Sequence, residues 1–154
     1  MKVLFDNQIF RRQIYGGISK YFYELYKSLP KDFASIQTGY HINKLLSASQ
    51  KELFLPYFFY SILQFKDRYS EKLIKTKADC VHSTYYVRKP KRFKHLRNII
   101  TVHDMIHEEI LDKDQYYKKQ YCEIADLIIC ISNATKLSLL SKNPNLEKKT
   151  IVIH

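Results

Sequence analysis

Short apolar runs rich in β-branched residues recur along the chain, and they lack the strict alternation of apolar and polar positions that marks a half-exposed strand. Strands that are covered on both faces have this composition, so the runs predict the buried strands of a mainly parallel sheet. The runs occupy residues 2–5, 80–82, 99–102, 127–131 and 151–153.

Between these runs, apolar residues recur at the spacing of one helix face. The first predicted helix ends before Pro30, and its apolar face consists of Ile18, Tyr21, Phe22, Leu25 and Leu29. A longer helix is predicted over residues 58–73, and a third contains Tyr117 and Tyr121. Ser132 is placed to cap a fourth helix, whose apolar positions are Ala134, Leu137 and Leu140.

Strands that alternate with helices of this length indicate βαβ crossovers, which are right-handed in nearly all proteins. We therefore predict an α/β fold with a doubly wound, mainly parallel, Rossmann-like sheet and helices on both faces. The 154 residues suffice for one hydrophobic core, so we expect a single domain over residues 1–154. In such sheets ligands bind beyond the carboxyl ends of the strands.

Charge and composition narrow the class of partner. Lysine and arginine number 26 against 15 acidic residues, which gives a formal net charge of +11. This excess favours an anionic partner, whether nucleic acid, acidic lipid or a phosphorylated small molecule. Charge alone does not choose among the three.

One segment after the strand at residues 80–82 concentrates this charge. Its six basic side chains are Arg88, Lys89, Lys91, Arg92, Lys94 and Arg97. A solvated loop is the simplest interpretation, but the position also suits contact with an anionic membrane surface. No RNA-recognition signature accompanies the run, so we expect no nucleic-acid partner.

The cysteines and the apolar stretches indicate where the protein works. Cys80, Cys122 and Cys130 are odd in number, widely spaced and without zinc-site spacing, so we expect reduced core thiols. Asp6 follows the first apolar run, where a signal peptide would remain apolar. Residues 53–63 form an apolar stretch about half as long as the roughly 20 residues that a membrane span requires. We expect a cytoplasmic protein, at most peripheral at the inner face of a membrane.

Gly16 and Gly17 lie between the first strand and the first helix. Paired glycines at this place let the backbone approach a ligand, and the first amides of the helix can bind a phosphate. A tight turn that packs helix against strand explains the same residues, and no Walker or Gly-x-Gly-x-x-Gly pattern decides between the two interpretations.

His103 and Asp104 follow the run at residues 99–102 and are expected at the carboxyl edge of the sheet. A polar pair there can orient a substrate hydroxyl or stabilise charge. His107 makes a metal site conceivable, but the zincin pattern is absent and no third ligand is evident, so we expect no metal. A histidine that bonds the loop backbone is the structural alternative.

The segment after the strand at residues 80–82 is dense in hydrogen-bonding and aromatic side chains. Its candidate residues for binding a sugar or a lipid-linked acceptor are His82, Thr84, Tyr85 and Tyr86. The chain contains 13 tyrosines, so packing within the loop explains the composition about as well.

Together these segments resemble the N-terminal domain of the GT-B-fold glycosyltransferases of family 4, also called glycosyl transferase group 1. They occur in the family's order and spacing over nearly the whole chain. The segments read KVLFD at residues 2–6, YGGISKY at 15–21, VHSTYY at 81–86, ITVHDMIH at 100–107 and ADLIICIS at 125–132.

The resemblance implies a retaining, metal-independent transfer of a sugar from a nucleoside diphosphate donor to a glycan or lipid-linked acceptor, as in bacterial surface polysaccharide synthesis. It implies no cofactor other than the donor. His103 and Asp104 would be the catalytic residues, with His103 in contact with the donor sugar near the reacting centre and Asp104 as its polar neighbour. Residues 37–77 would shape the acceptor pocket. The implied donor-binding residues are Gly16, Gly17, Ser132 and Asn133.

The chain departs from the family in length. Family members continue into a C-terminal domain that supplies most contacts to the nucleotide, so we expect such a domain as a partner, in cis or as a separate chain. The chain alone is then expected to be inactive. The rival hypothesis is a non-catalytic basic module that binds anionic lipid, glycan or nucleic acid, and a metal-dependent hydrolase is a distant third.

Overall fold

The computed structural model describes residues 1–37, 41–49, 77–86, 95–106 and 116–154. The chain forms two compact units, Met1–Ala78 and Asp79–His154. Each unit combines parallel strands with helices, and each is described by itself below.

Unit 1 contains two strands and two α-helices among its described residues. Strands β1 and β2 are parallel, and Val3 lies opposite Ala34 in their register. A short 3-10 turn at Ile9–Arg11 follows β1. The other elements are β1 Val3–Phe5, α1 Gly17–Ser28, β2 Ala34–Ile36 and α2 Lys44–Ser49.

The core of unit 1 forms where α1 covers β1. The ring of Phe22 on α1 meets the ring of Phe5 edge-on at a centroid distance of 6.0 Å, and both side chains are almost completely buried. Asn43 starts α2, because its Oδ1 accepts a hydrogen bond from the backbone N–H of Leu46 at 3.1 Å. Its Nδ2 donates to the carbonyl of Gln13 at 2.7 Å and so ties α2 to the loop before α1.

Unit 2 contains four parallel strands in the order β3-β4-β5-β6. A 3-10 segment, Pro144–Lys149, leads into the last strand. The other elements are β3 Cys80–Ser83, β4 Arg97–Val102, α3 Tyr116–Ile124, β5 Leu127–Cys130, α4 Asn133–Lys142 and β6 Thr150–Val152.

The core of unit 2 joins the middle strands to both helices. It consists mainly of Ile100, Val102, Tyr121, Cys122, Ile128, Cys130, Leu139 and Leu146. Lys149 closes the end of α3, since its Nζ donates to the carbonyls of Glu123 at 2.8 Å and Ala125 at 2.9 Å. Cys80, Cys122 and Cys130 are buried free thiols, as the sequence predicts.

The predicted α/β class and the parallel, Rossmann-like arrangement of the strands are confirmed. Strand β2 was not predicted, because three residues are too few for a visible pattern. The helix predicted over residues 58–73 lies outside the described residues. In the part of the chain that the structure covers, no helix combines the length and the apolar character that crossing a membrane would require.

The predicted cap of α4 is confirmed, but its predicted apolar face is corrected. The Oγ of Ser132 accepts a hydrogen bond from the backbone N–H of Thr135 at 3.1 Å. The buried positions of the helix are Thr135 and Leu139, whereas Leu137 is 70% exposed. The hydroxyl of Thr135 lies 3.0 Å from Ser132 Oγ, so a polar residue is accommodated on the buried face.

The two leucines of α4 provide a matched test of this packing. Leu139 is 2% exposed, so Leu139→Ala is expected to lower the free energy of unfolding by about 2–5 kcal/mol. Leu137→Ala removes the same atoms from the surface and is expected to change it by less than about 0.5 kcal/mol. Urea denaturation of both variants measures the difference, and equal losses would contradict the assignment of the buried face.

Candidate functional site

The candidate site is the carboxyl edge of the four-stranded sheet in unit 2. Three chain segments leave the sheet there, at residues 84–86 after β3, 103–106 after β4 and 131–132 after β5. His82 pairs with Ile99 and Thr101 pairs with Ile129 in the parallel register. The register therefore brings the predicted polar residues of neighbouring strands to one edge, as expected for this fold.

Thr101 is the centre of a buried hydrogen-bond network at this edge. Its Oγ1 lies 2.9 Å from Nε2 of His82, and both residues are buried. The hydroxyl of Tyr86 donates to the backbone carbonyl of Thr101, also at 2.9 Å. One residue of β4 thus holds a side chain of β3, His82, and a side chain of the segment that follows β3, Tyr86.

The two bonded side chains stay neutral at physiological pH. Burial lowers the pKa of His82 to about 3, and the nearby His103 acts in the same direction. Burial raises the pKa of Tyr86 well above its ordinary value, and Cys122 and Asp104 add to this effect. A neutral imidazole and a protonated phenol can both hydrogen-bond to Thr101 without bringing a charge into the core.

His103 and Asp104 emerge from the end of β4, where the sequence predicts them. Both are partly exposed, and the side chain of Asp104 is 43% exposed. Oδ1 of Asp104 accepts a hydrogen bond from the backbone N–H of Ile106 at 3.3 Å, which fixes the turn. Burial lowers the pKa of His103, Asp104 opposes this shift and Lys118 adds to it. His103 is therefore a neutral imidazole near pH 7, able to donate and to accept one hydrogen bond.

Lys118 on α3 is a residue of this site that the sequence interpretation missed. It is 4% exposed, and its Nζ donates to the backbone carbonyl of Asp104 at 2.9 Å. The same ammonium lies 3.9 Å from Oδ1 of Asp104 and 5.6 Å from the ring centroid of Tyr86. Buried lysines normally need such partners. The available signal was the position of Lys118 three residues before the buried Tyr121, on the apolar face of α3.

Ser132 and Asn133, predicted as donor-binding residues, lie where β5 leads into α4. Ser132 is the N-cap of α4 and uses its hydroxyl within the first turn of the helix. Asn133 is exposed at the first helical position. The start of α4 thus lies at the same edge as His103, because β4 and β5 are parallel neighbours.

The paired glycines lie in unit 1, at the start of α1. The backbone of Gly16 is extended, with φ of 178°, so its conformation does not require glycine. A Cβ at Gly16 would instead lie 2.2 Å from Oε1 of Gln13. That oxygen accepts a hydrogen bond from the backbone N–H of Ser19 at 3.1 Å, within the first turn of α1. A side chain at position 16 would displace the Gln13 carboxamide from its bond to Ser19. A role of Gly16 and Gly17 in donor binding stays a prediction.

The remaining predicted residues are distributed as follows. Thr84 is 2% exposed and Tyr85 partly exposed, and the rings of Tyr85 and Tyr86 lie 5.4 Å apart. Arg97 is the exposed first residue of β4, at the opposite edge of the sheet of unit 2. His107, most of residues 37–77, and the basic residues Arg88, Lys89, Lys91, Arg92 and Lys94 lie outside the described residues.

The chemistry of this edge is that of a hydrogen-bonding site with one fixed positive charge. A search of the described ranges for three or more His, Cys, Asp or Glu side chains grouped to hold a metal finds none. The polar residues of this edge with exposed surface include His103, Asp104 and Tyr85, and the buried ammonium of Lys118 lies against the carbonyl of Asp104. Such an edge can orient hydroxyl groups of a polar ligand.

Comparisons with models of protein families, with curated proteins and with solved structures found no match in any of the three. The function of the chain is therefore inferred from the residues of this edge and from the sequence segments described above.

The neutral state of His82 predicts a specific dependence of stability on pH. In the unfolded chain the imidazole binds a proton near pH 6.5, but in the folded protein its pKa is about 3. The stability that it contributes is therefore fully present above pH 6.5 and is lost as the pH falls towards 3. For each proton that only the unfolded state binds, the free energy of unfolding falls by about 1.4 kcal/mol with every unit by which the pH decreases.

His82→Gln keeps an amide that can bond to Thr101 and removes the titrating ring. We expect the variant to lose less stability than the wild type between pH 7 and pH 4.5, as measured by urea denaturation at each pH. His95→Gln is the control, because His95 is exposed. If His82→Gln and the wild type lose stability in parallel, His82 does not titrate as the structure indicates.

The position of Lys118 is tested through the pKa of His103. Lys118 lowers this pKa, so Lys118→Met is expected to raise it. Asp104 raises it, so Asp104→Asn is expected to lower it further below the ordinary value. Titration of the imidazole signals by NMR measures both shifts. Lys119→Met is the control, since Lys119 is exposed on the same helix, and a wild-type pKa in Lys118→Met would contradict the contact.

Proposed function

We propose that the chain is the acceptor-side half of a glycosyltransferase, which transfers a sugar from a nucleoside diphosphate donor to a glycan or lipid-linked acceptor. A single observation carries the proposal most directly. The motif from Thr101 to Asp104, which is part of one of the segments that carry the family resemblance, spans the end of a buried parallel strand, and Thr101 and Asp104 make polar contacts at the carboxyl edge of the sheet, where ligands commonly bind in this fold.

His103 is the residue that we propose to contact the donor sugar. Its lowered pKa keeps the imidazole neutral, so the partly exposed ring can exchange a hydrogen bond with a sugar hydroxyl. Asp104 holds the turn through the N–H of Ile106, and its partly exposed carboxylate remains accessible to a second hydroxyl. Lys118 positions both residues by bonding to the carbonyl of Asp104.

Of the four proposed acceptor-binding residues, Tyr85 and Tyr86 are partly exposed to solvent. Their rings lie 5.4 Å apart and provide an aromatic surface of the kind that sugar rings pack against. His82 and Thr84 are buried, so their contribution is to hold this segment in place through contacts such as the bond between His82 and Thr101.

The proposal also includes a partner. In the family that the chain resembles, a second domain supplies most contacts to the nucleotide, so a domain of that kind is expected in cis or as a separate chain. We propose that the protein acts in the cytoplasm on acceptors used for surface polysaccharide synthesis. An anionic membrane surface is a further proposed partner. Without its partner, the chain has too few contacts to orient a donor against an acceptor.

Titration of the chain with UDP-glucose, UDP-galactose and GDP-mannose tests the proposal, with backbone amide signals followed by NMR. We expect at least one of them to shift the amides of His103, Asp104, Ser132 and Asn133 with a Kd of about 1 mM, equivalent to about 4 kcal/mol. His103→Ala removes one polar contact and is expected to weaken this binding about threefold to tenfold.

His95→Ala is the matched control, because His95 is exposed and precedes β4 at the other edge of the sheet. Shifts confined to other residues, or unchanged binding in His103→Ala, would refute the proposed donor site. Binding of a duplex RNA oligonucleotide at this edge instead would favour the non-catalytic module. Sugar transfer by the chain alone would refute its assignment as half of an enzyme.

A further inference from the structure

A second concave site lies in unit 1, at the amino ends of β1 and β2. It is a cleft of about 240 Å³ whose lining includes Lys2, Lys31, Asp32, Phe33, Ser35 and Lys77. Lys2 directly precedes β1, and Ser35 is the exposed middle residue of β2. The cleft is thus at the end of these strands away from Asp6 and the loop to Gly16, which follow the carboxyl end of β1.

The side chains that line the cleft carry a net positive charge. Three lysines line it together with a single aspartate, so positive charge exceeds negative charge by about two units at pH 7. Lysine ammonium groups are flexible point charges that commonly bind phosphate. A phosphomonoester carries about 1.5 to 2 negative charges at pH 7, which is close in size to the summed charge of these four side chains, whereas a carboxylate carries one.

The size of the cleft limits the ligand. Pockets for drug-sized molecules have about 300–1,000 Å³, and 240 Å³ is below this range. At about 30 Å³ per water molecule the space holds roughly eight waters. A phosphate group with a small polyol fits within such a space, whereas a complete nucleoside diphosphate sugar would extend beyond it.

The backbone of the cleft is already used for folding. The N–H of Phe33 donates to the carbonyl of Pro30 at 2.8 Å, and the N–H of Val3 donates to the carbonyl of Phe33 at 2.8 Å. These two amides are therefore not available to a ligand, and the lysine side chains and the hydroxyl of Ser35 are the groups that we expect to recognise it. The ring of Phe33 is 49% exposed beside them and provides an apolar surface next to the charges.

We propose that this cleft binds a phosphomonoester, either on a soluble small molecule or as the head group of an anionic lipid. Neither the site at the carboxyl edge of unit 2 nor the proposed glycosyl transfer is required for this binding. The proposal stands even if no sugar is transferred.

Two variants of the full chain remove the site in different ways. Lys31→Gln combined with Lys77→Gln removes two of its charges. Ser35→Tyr fills the cleft while every charge remains, and tyrosine is well tolerated on an exposed strand position. Lys142→Gln combined with Lys148→Gln is the control, because both lysines are exposed in unit 2 and the same total charge is lost.

Backbone amide signals are followed by NMR during titration with inorganic phosphate and with glycerol 3-phosphate at constant ionic strength. We expect saturable shifts at residues 2–3 and 31–35, at least fivefold weaker binding in both site variants, and binding within twofold of wild type in the control. The proposal is overturned if the wild type shows no saturable shift there, if Ser35→Tyr binds as the wild type does, or if the control pair weakens binding as much as the site pair.

Vesicle sedimentation distinguishes the two sources of the phosphate. Phosphatidylcholine vesicles are supplemented with either phosphatidic acid, which has a phosphomonoester head group, or phosphatidylserine, at matched surface potential. Stronger binding to phosphatidic acid that Ser35→Tyr abolishes assigns a lipid ligand. Equal binding to both vesicles, together with a Ser35→Tyr effect on glycerol 3-phosphate, assigns a soluble ligand. Equal vesicle binding without that effect overturns the proposal.

Discussion

The carboxyl edge of unit 2 depends on the two hydrogen bonds that Thr101 makes beside the core. A buried polar group without a partner costs about 1–3 kcal/mol, so β3 has to bring His82 to the hydroxyl of Thr101, and the segment after β3 has to bring Tyr86 to its carbonyl. These bonds fix the path of the chain beyond β3. His103 follows the last residue of β4, two residues beyond Thr101, and is partly exposed there.

Lys118 and Asp104 form an ion pair at this edge. His82 and Tyr86 are held neutral by burial, so Lys118 and Asp104 provide the field that acts on His103. The ammonium of Lys118 is enclosed and has little freedom to move, whereas the carboxylate of Asp104 is partly accessible. A polar ligand at this edge therefore meets a fixed arrangement of donors and acceptors, and such preorganisation lowers the cost of ordering side chains on binding.

The sequence predicts features that depend on local composition. Buried parallel strands are visible as β-branched runs, and the cap at Ser132 follows from its place before an apolar helix. Contacts that depend on the register of neighbouring strands are not visible in this way, and the bond between His82 and Thr101 is one of them. Lys118 was missed because lysine usually marks an exposed helix face, and Leu137 was misplaced because apolar residues alone do not identify the buried face of α4.

The packing of Gln13 beneath Gly16 couples two positions of the sequence. A side chain at position 16 would take the space of the Gln13 carboxamide, which in turn would release the N–H of Ser19 that it now binds. A shorter residue at position 13 would remove the obstacle, but it would also remove the acceptor. Substitutions at the two positions are therefore epistatic. A side chain at position 16 is therefore expected to cost less stability once position 13 has changed and another group accepts the N–H of Ser19.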